Sequence, residues 1–135
     1  MGTFHQHLRL ANAGRPDIEE TDARALVDTG AMELCLPRSM ADQLRLTTFG
    51  TSPAVLADGR RVEVDYVGPV KVEMFGRMAI VGALVLGDEV LLGAVPMETM
   101  DVLVDPARQQ LIPNPDSPDR PMSLAMGVRQ PEREI

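Results

Sequence analysis

Polar and apolar positions alternate at the start of the chain. In "TFHQHLRL", Phe4, Gln6, Leu8 and Leu10 share one side and His5, His7 and Arg9 the other, which predicts a half-buried strand. "ANAGRPDIEETD" follows as a polar loop broken by Gly14 and Pro16. "ARALVD" (23–28) resumes an extended run, and "MELCL" (32–36) reads as a short strand before Pro37. In "PRSMADQLRL", Met40 and Leu44 stand at helical spacing behind Pro37, which predicts a short helix. From Pro53 to Leu92 the pattern is β throughout. "PAVLADGRRVEVDYV" carries an Asp58-Gly59 turn between alternating arms, a strong hairpin signal. Gly68-Pro69 is expected to break that run, and two more runs flank Gly76-Arg77. "EVLLGAVPMETM" passes from strand through Gly93 to a short helix, and "DVLVDPARQQLI" predicts a last hairpin about Asp105-Pro106.

Beyond residue 112 the character changes. "PNPDSPDRPMSLAMGVRQPEREI" contains prolines at 113, 115, 118, 121 and 131. It reads as a proline-rich tail, disordered or clinging as an arm, with an apolar island at Met122–Gly127 and "EREI" as a solvated end. The expected folded domain is 1–112 and the tail 113–135. Many short strands at regular turn spacing predict an all-β fold, a small barrel or folded sheet with one or two short helices.

Composition narrows the partners. With 135 residues a single domain is expected, large enough for a core without disulfides. Aromatics are only 3% and Trp is absent, so the core must be built of Leu, Val, Met and Ala. Thirteen basic against twenty acidic side chains give a net charge of −7, a poor match to a phosphate backbone, so no nucleic-acid partner is expected. The single cysteine, Cys35, permits no intrachain disulfide. Together with an N-terminus that lacks a signal-peptide core, it points to a cytoplasmic setting. No apolar run approaches a membrane span. His5 and His7 share a face but have no nearby Cys or acid cluster, so a solvated strand face is the simpler reading than a metal pair. Cys35 in "ELCLP" reads as a small core residue, and Ser39 has no His partner for a triad.

The stretch that carries chemistry is "ALVDTGA". Asp-Thr-Gly is ordinary turn chemistry, and on the tripeptide alone a turn and a functional carboxylate read equally well. The context adds weight, because "ALV" delivers Asp28 from an apolar strand, where an ionised carboxylate is costly without partners. Gly30 allows close approach of another backbone, and Thr29 offers a hydroxyl.

These residues resemble the retroviral-type (retropepsin-like) aspartic proteases, more closely their short bacterial and archaeal relatives. The resemblance spans about residues 25–111 and rests on three ordered anchors. They are "LVDTGA", the hairpin "VLADGRRVEV" at the flap position, and "VLLGAVPMETM" at the apolar-apolar-glycine element and helix. It implies a closed acid-protease barrel acting as a two-fold homodimer, with Asp28 as catalytic acid. Thr29 would lock to its mate across the dimer, and Gly30 and Ala31 would complete the active-site loop. Asp58 and Gly59 would sit at the flap tip, while Leu91, Leu92 and Gly93 pack behind the loop. The substrate implied is a peptide or unfolded protein, and hydrolysis by paired carboxylates needs no metal or cofactor. Departures are visible, among them a longer N-terminal loop and a tail after the helix. Retroviral enzymes place a pairing acid and arginine where this chain has Met32 and Ala94, and its flap tip carries one glycine. A non-catalytic peptide-binding or dimerisation module is the rival reading, and a structural β domain with Asp-Thr-Gly as a turn is a third.

Overall fold

A computed structural model describes residues 3–127, 129 and 131; the solvated end read at 132–135 lies outside them. The elements in chain order are β1 (Phe4–Asn12), β2 (Thr21–Val27), β3 (Leu34–Leu36), α1 (Arg38–Gln43), β4 (Thr47–Val55) and β5 (Arg61–Met74). They continue with β6 (Arg77–Val85), β7 (Leu91–Leu92), α2 (Ala94–Met100), β8 (Val102–Asp105) and β9 (Gln110–Pro113). No helix among the described residues is long and apolar enough to cross a membrane.

Six strands close a ring in the order β1-β2-β7-β3-β6-β5, with β5 returning to β1. β4 hangs on the outer edge of β5 and forms with it a long hairpin. Closure follows from β1, whose length serves two neighbours. Phe4–Leu10 pairs with β2, and Arg9–Asn12 crosses to Val70–Glu73 of β5. Its alternation sorts the faces as the sequence implies, with Leu8 and Leu10 buried and His5, His7 and Arg9 exposed. The interior is aliphatic. Leu10, Leu34, Leu36, Leu44, Leu92 and Met100 are all fully buried; among the described residues no aromatic side chain is fully buried, and Phe4 packs against the core partly exposed.

The two-residue β7 lies at the centre of the sheet. It runs parallel to β2, with Leu26 opposite Leu91 and Val27 opposite Leu92, and antiparallel to β3 through Cys35 and Leu91. A strand this short persists because it is paired on both edges, and Leu92 is fully buried.

Three sequence expectations change. β4 begins at Thr47, six residues before the β run that starts at Pro53, because Thr47–Val55 finds a partner in β5. β5 is not broken by Gly68-Pro69. Its register against β6 shifts between Val67 and Val70, so the proline that cannot donate falls in the bulge and the strand runs on. The helix after Pro37 is shorter than its pattern. It stops at Gln43, and buried Asn12 donates from Nδ2 to the Leu44 and Arg45 carbonyls at 3.0 and 3.2 Å, satisfying the end of the turn.

Past β9 the chain stays in contact with the body. Arg77, 3% exposed, donates to the carbonyl oxygens of Met100 (3.3 Å), Asp101 (2.8 Å) and Ser117. Asp101 ends α2 in the left-handed region at φ 56°. Its carboxylate accepts from Ser117 Oγ, from Asn114 Nδ2 at 3.0 Å and from the Met122 amide at 3.2 Å. Donation by Ser117 first, then by Asn114 and the Met122 amide, holds the Asp101 carboxyl below the usual carboxylate range. A depressed folded value stabilises above the unfolded value of about 4 and is lost as pH falls through the folded one. Asn tolerates the left-handed conformation, so Asp101→Asn removes the charge and one acceptor oxygen without straining the backbone. We expect its melting temperature to fall below wild type at neutral pH and the gap to close towards pH 2. A gap independent of pH would remove the carboxylate from the stability of this segment.

Candidate active site

The end of β2 is held by backbone on both sides of Asp28. The Leu26 amide donates to Val90 O at 2.8 Å, and the Asp28 amide to Leu92 O at 3.1 Å. The chain then turns. The Ala31 amide reaches Asp28 O at 3.2 Å, and the Gly30 amide donates to Asp28 Oδ1 at 2.9 Å. One carboxylate oxygen is thus fixed by its own loop. Asp28 is half-buried, whereas Thr29 and Gly30 are exposed, and Thr29 makes no side-chain hydrogen bond among the described residues. A Cβ at Gly30 would meet only Asp28 Oδ1, at 3.2 Å, so nothing else among the described residues crowds that position.

Behind the loop the contacts are tighter. The first two amides of α2, Ala94 and Val95, donate to the carbonyls of Ala31 and Met32 at 2.8 and 2.9 Å. The loop after Asp28 therefore supplies acceptors to the unpaired donors of a helix start. Gly93 makes this approach possible. A Cβ there would lie 2.3 Å from Glu33 O, 2.7 Å from Met32 C and 2.8 Å from Glu33 N. Leu91 and Leu92 of β7 pair behind Asp28, as given above. The departures at Met32 and Ala94 are accommodated by main-chain bonds, and the Met32 side chain is exposed at 68%.

A groove of about 730 Å³ opens over Asp28. Gly30, Ala31 and Glu33 line it together with the aspartate, and residues 52–57 of the hairpin arm line it as well. The sequence signal at Asp58-Gly59 marks the tip, but neither Asp58 nor Gly59 lines the groove; the arm up to Ala57 does. At the tip, Ala57 and Asp58 are the central turn residues. The Gly59 amide donates to Leu56 O at 2.9 Å. Gly59 takes φ +86° and a Cβ there would have nothing within 4 Å, so conformation rather than space requires the glycine. The Arg60 amide and Nε donate to the Asp58 carboxylate at 3.0 and 2.8 Å and hold it below the usual carboxylate range.

Three lining residues carry no local motif: Cys35, Glu33 and Tyr66. Cys35 is 8% exposed, and burial first, then the charges of Glu33 and Asp28, push its thiol up. Tyr66 lies across Gly82, where a Cβ would meet its hydroxyl at 2.0 Å, so the glycine makes room for the phenol. The alternation of β5 places Tyr66 on this face, but only the pairing with Leu84 of β6 brings it to the groove. His5 lies elsewhere, its Nε2 3.1 Å from Glu89 Oε1. The tail island also lies elsewhere. Met122, Ser123 and Leu124 border a depression with Glu98, Thr99 and Leu103, and no tail residue among those described lines the Asp28 groove.

Known proteins match this chain in fold and in family. The EIAV protease complexed with the inhibitor HBY-793 is 22% identical, with a TM-score of 0.50 over 68% of this chain and 82% of that one. The solution structure of the simian foamy virus (mac) protease is 20% identical, with a TM-score of 0.46 over 68% of this chain and 91% of that one. Comparison with curated protein sequences gives no match. The closed six-strand barrel is thus a retropepsin-like fold. A family model described as aspartyl protease matches residues 15–112, the span that holds the Asp28 loop, the hairpin arm and the Gly93 packing, and the chain belongs to that aspartyl protease family.

Proposed function

We propose that the protein is an aspartic endopeptidase whose active site forms between two copies of the chain, each supplying Asp28. The observation that carries this reading is a half-exposed carboxylate, fixed by the Gly30 amide, in a groove that a hairpin arm also lines. One carboxylate cannot serve as both base and acid for amide hydrolysis, and the chain has one Asp-Thr-Gly. Two carboxylates about 3 Å apart do not ionise together and share one proton. The ionised member takes a proton from water as the water oxygen attacks the peptide carbonyl carbon. The protonated member donates to the substrate oxygen. As the adduct collapses, the carbon–nitrogen bond breaks and a proton passes to the leaving amine. Thr29, exposed and unbonded among the described residues of its own chain, meets its mate across the two-fold axis. The β4–β5 hairpin covers the bound peptide, and Gly59 gives its tip the turn that lets it reach over.

The test is the dependence of rate on protein concentration, with a denatured protein as substrate. Well below the dimer dissociation constant the rate should rise as the square of concentration, and above it linearly. A linear rate throughout, under conditions where sedimentation shows monomer, would mean that a single chain is sufficient and would overturn the shared site.

A further inference from the structure

We propose that Glu33 selects a basic side chain in the bound peptide; this rests on the Asp28 reading above. Glu33 is half-buried and lines the groove with Asp28, and no Lys, Arg or His among the described residues lines it. Among the described residues its carboxylate takes part in no ion pair and no hydrogen bond, although exposed acids elsewhere, such as Asp17, Asp58 and Glu20, have arginine partners. Its position is not loose. The main chain at 32–33 is pinned by the Val95 amide on Met32 O at 2.9 Å and by the close approach of Gly93 to Glu33 N and O. The groove therefore presents a second carboxylate, carried on a pinned main chain and with no counter-charge, among walls built largely from Ala31, Val55, Leu56, Leu84, Leu86 and Leu91.

A bound peptide strips water from this carboxylate. Left unpaired, it makes binding costlier; a lysine or arginine on the peptide offsets that cost with a charge-assisted hydrogen bond, and an acidic residue adds repulsion. In a two-fold dimer one Glu33 lies on each side of the scissile bond. The selection therefore acts on both halves of the substrate, on chains with a large apolar residue at the cut and basic residues flanking it.

The experiment uses the full-length protein and sets of peptides identical except for lysine, norleucine or glutamate, scanned through each position flanking an apolar pair. Ratios of kcat/KM are taken within each enzyme, so that changes in fold or dimer affinity cancel. At one position or more on each side, wild type should favour lysine over norleucine by about tenfold, as expected for a hydrogen bond to a charged group, and disfavour glutamate. Glu33→Gln should bring the lysine-to-norleucine ratio close to one, and Glu33→Lys should reverse it in favour of glutamate. Equal ratios in wild type at every position, or a lysine preference that survives Glu33→Gln, would overturn the assignment. If neither the peptides nor a denatured protein are cut, the Asp28 reading fails instead. Affinities of the same peptides, measured by fluorescence anisotropy, then decide the role of Glu33 by the same ratios.

Discussion

Asp28→Asn is expected to abolish peptide hydrolysis while leaving the fold and its melting temperature nearly unchanged. The amide of Asn is close in shape to the carboxyl and keeps an oxygen for the Gly30 amide, which now donates to Asp28 Oδ1 at 2.9 Å. The Asp28 amide bond to Leu92 O is main-chain and unaffected. In the proposed mechanism, what is lost is the group that shares a proton with its mate. General acid and base roles contribute about 10²–10⁴-fold each in typical enzymes, and here one substitution removes both. Mixing sharpens the test. With free subunit exchange, equal parts of wild-type and Asp28→Asn chains leave about one quarter of dimers with two aspartates. Activity should fall to about that fraction of an all-wild-type sample at the same total concentration. Retention of half, with exchange shown independently, would mean that each chain acts alone. Wild-type turnover by the pure variant would remove Asp28 from the chemistry altogether.

Gly93→Ala should have the largest effect of any single methyl group added to this protein. The new Cβ would meet three main-chain atoms of residues 32–33 at 2.3–2.8 Å, and main chain cannot rotate aside as a side chain does. Gly93 itself has φ −90°, which alanine adopts freely, so the penalty is one of space. Overpacking in a tight interior costs about 1–3 kcal/mol and sometimes more. This site belongs at the upper end, because relief requires α2 to part from the loop and lose the Ala94 and Val95 bonds to Ala31 and Met32. The expected result is a lower melting temperature together with an activity loss larger than the fraction unfolded explains. By contrast, Gly59→Ala meets no atom within 4 Å and strains only its φ of +86°. If Gly93→Ala melts like wild type and cleaves like wild type, the packing of α2 against the loop does not position Asp28.

Local pattern made much of this fold readable. The alternation of β1, the apolar run into Asp28, the hairpin arms and the turn at Asp105-Pro106 each depend on neighbours in sequence, and hydrophobic period or turn chemistry reports such neighbours directly. The turn at 105 shows how local the signal is, since Asp105 Oδ1 accepts from the amides of Ala107 and Arg108, both at 3.2 Å. What could not be read depends on distant partners. Thr47–Ser52 has little apolar pattern because it is exposed on most positions, and it is a strand only because β5 runs beside it. β5 survives Gly68-Pro69 through a bulge that exists only against β6. Glu33 enters the groove because Gly93, far along the chain, lets its main chain approach. The anchoring of the segment after β9 likewise needs Arg77 and Asp101 together, and neither residue signals the other in the sequence.

The attachment of the active-site loop to α2 has a consequence for how such a chain can vary. An acid–arginine bond at this place would tie two side chains to each other, and neither could be exchanged alone. Here the same junction is made by amides and carbonyls, which every residue but proline supplies. Met32 and Ala94 are consequently free to drift in size and charge without loosening the loop, while the single position between them in space, Gly93, is not. The rim of the groove can change its chemistry one residue at a time, and the architecture that holds the aspartate need not register the change.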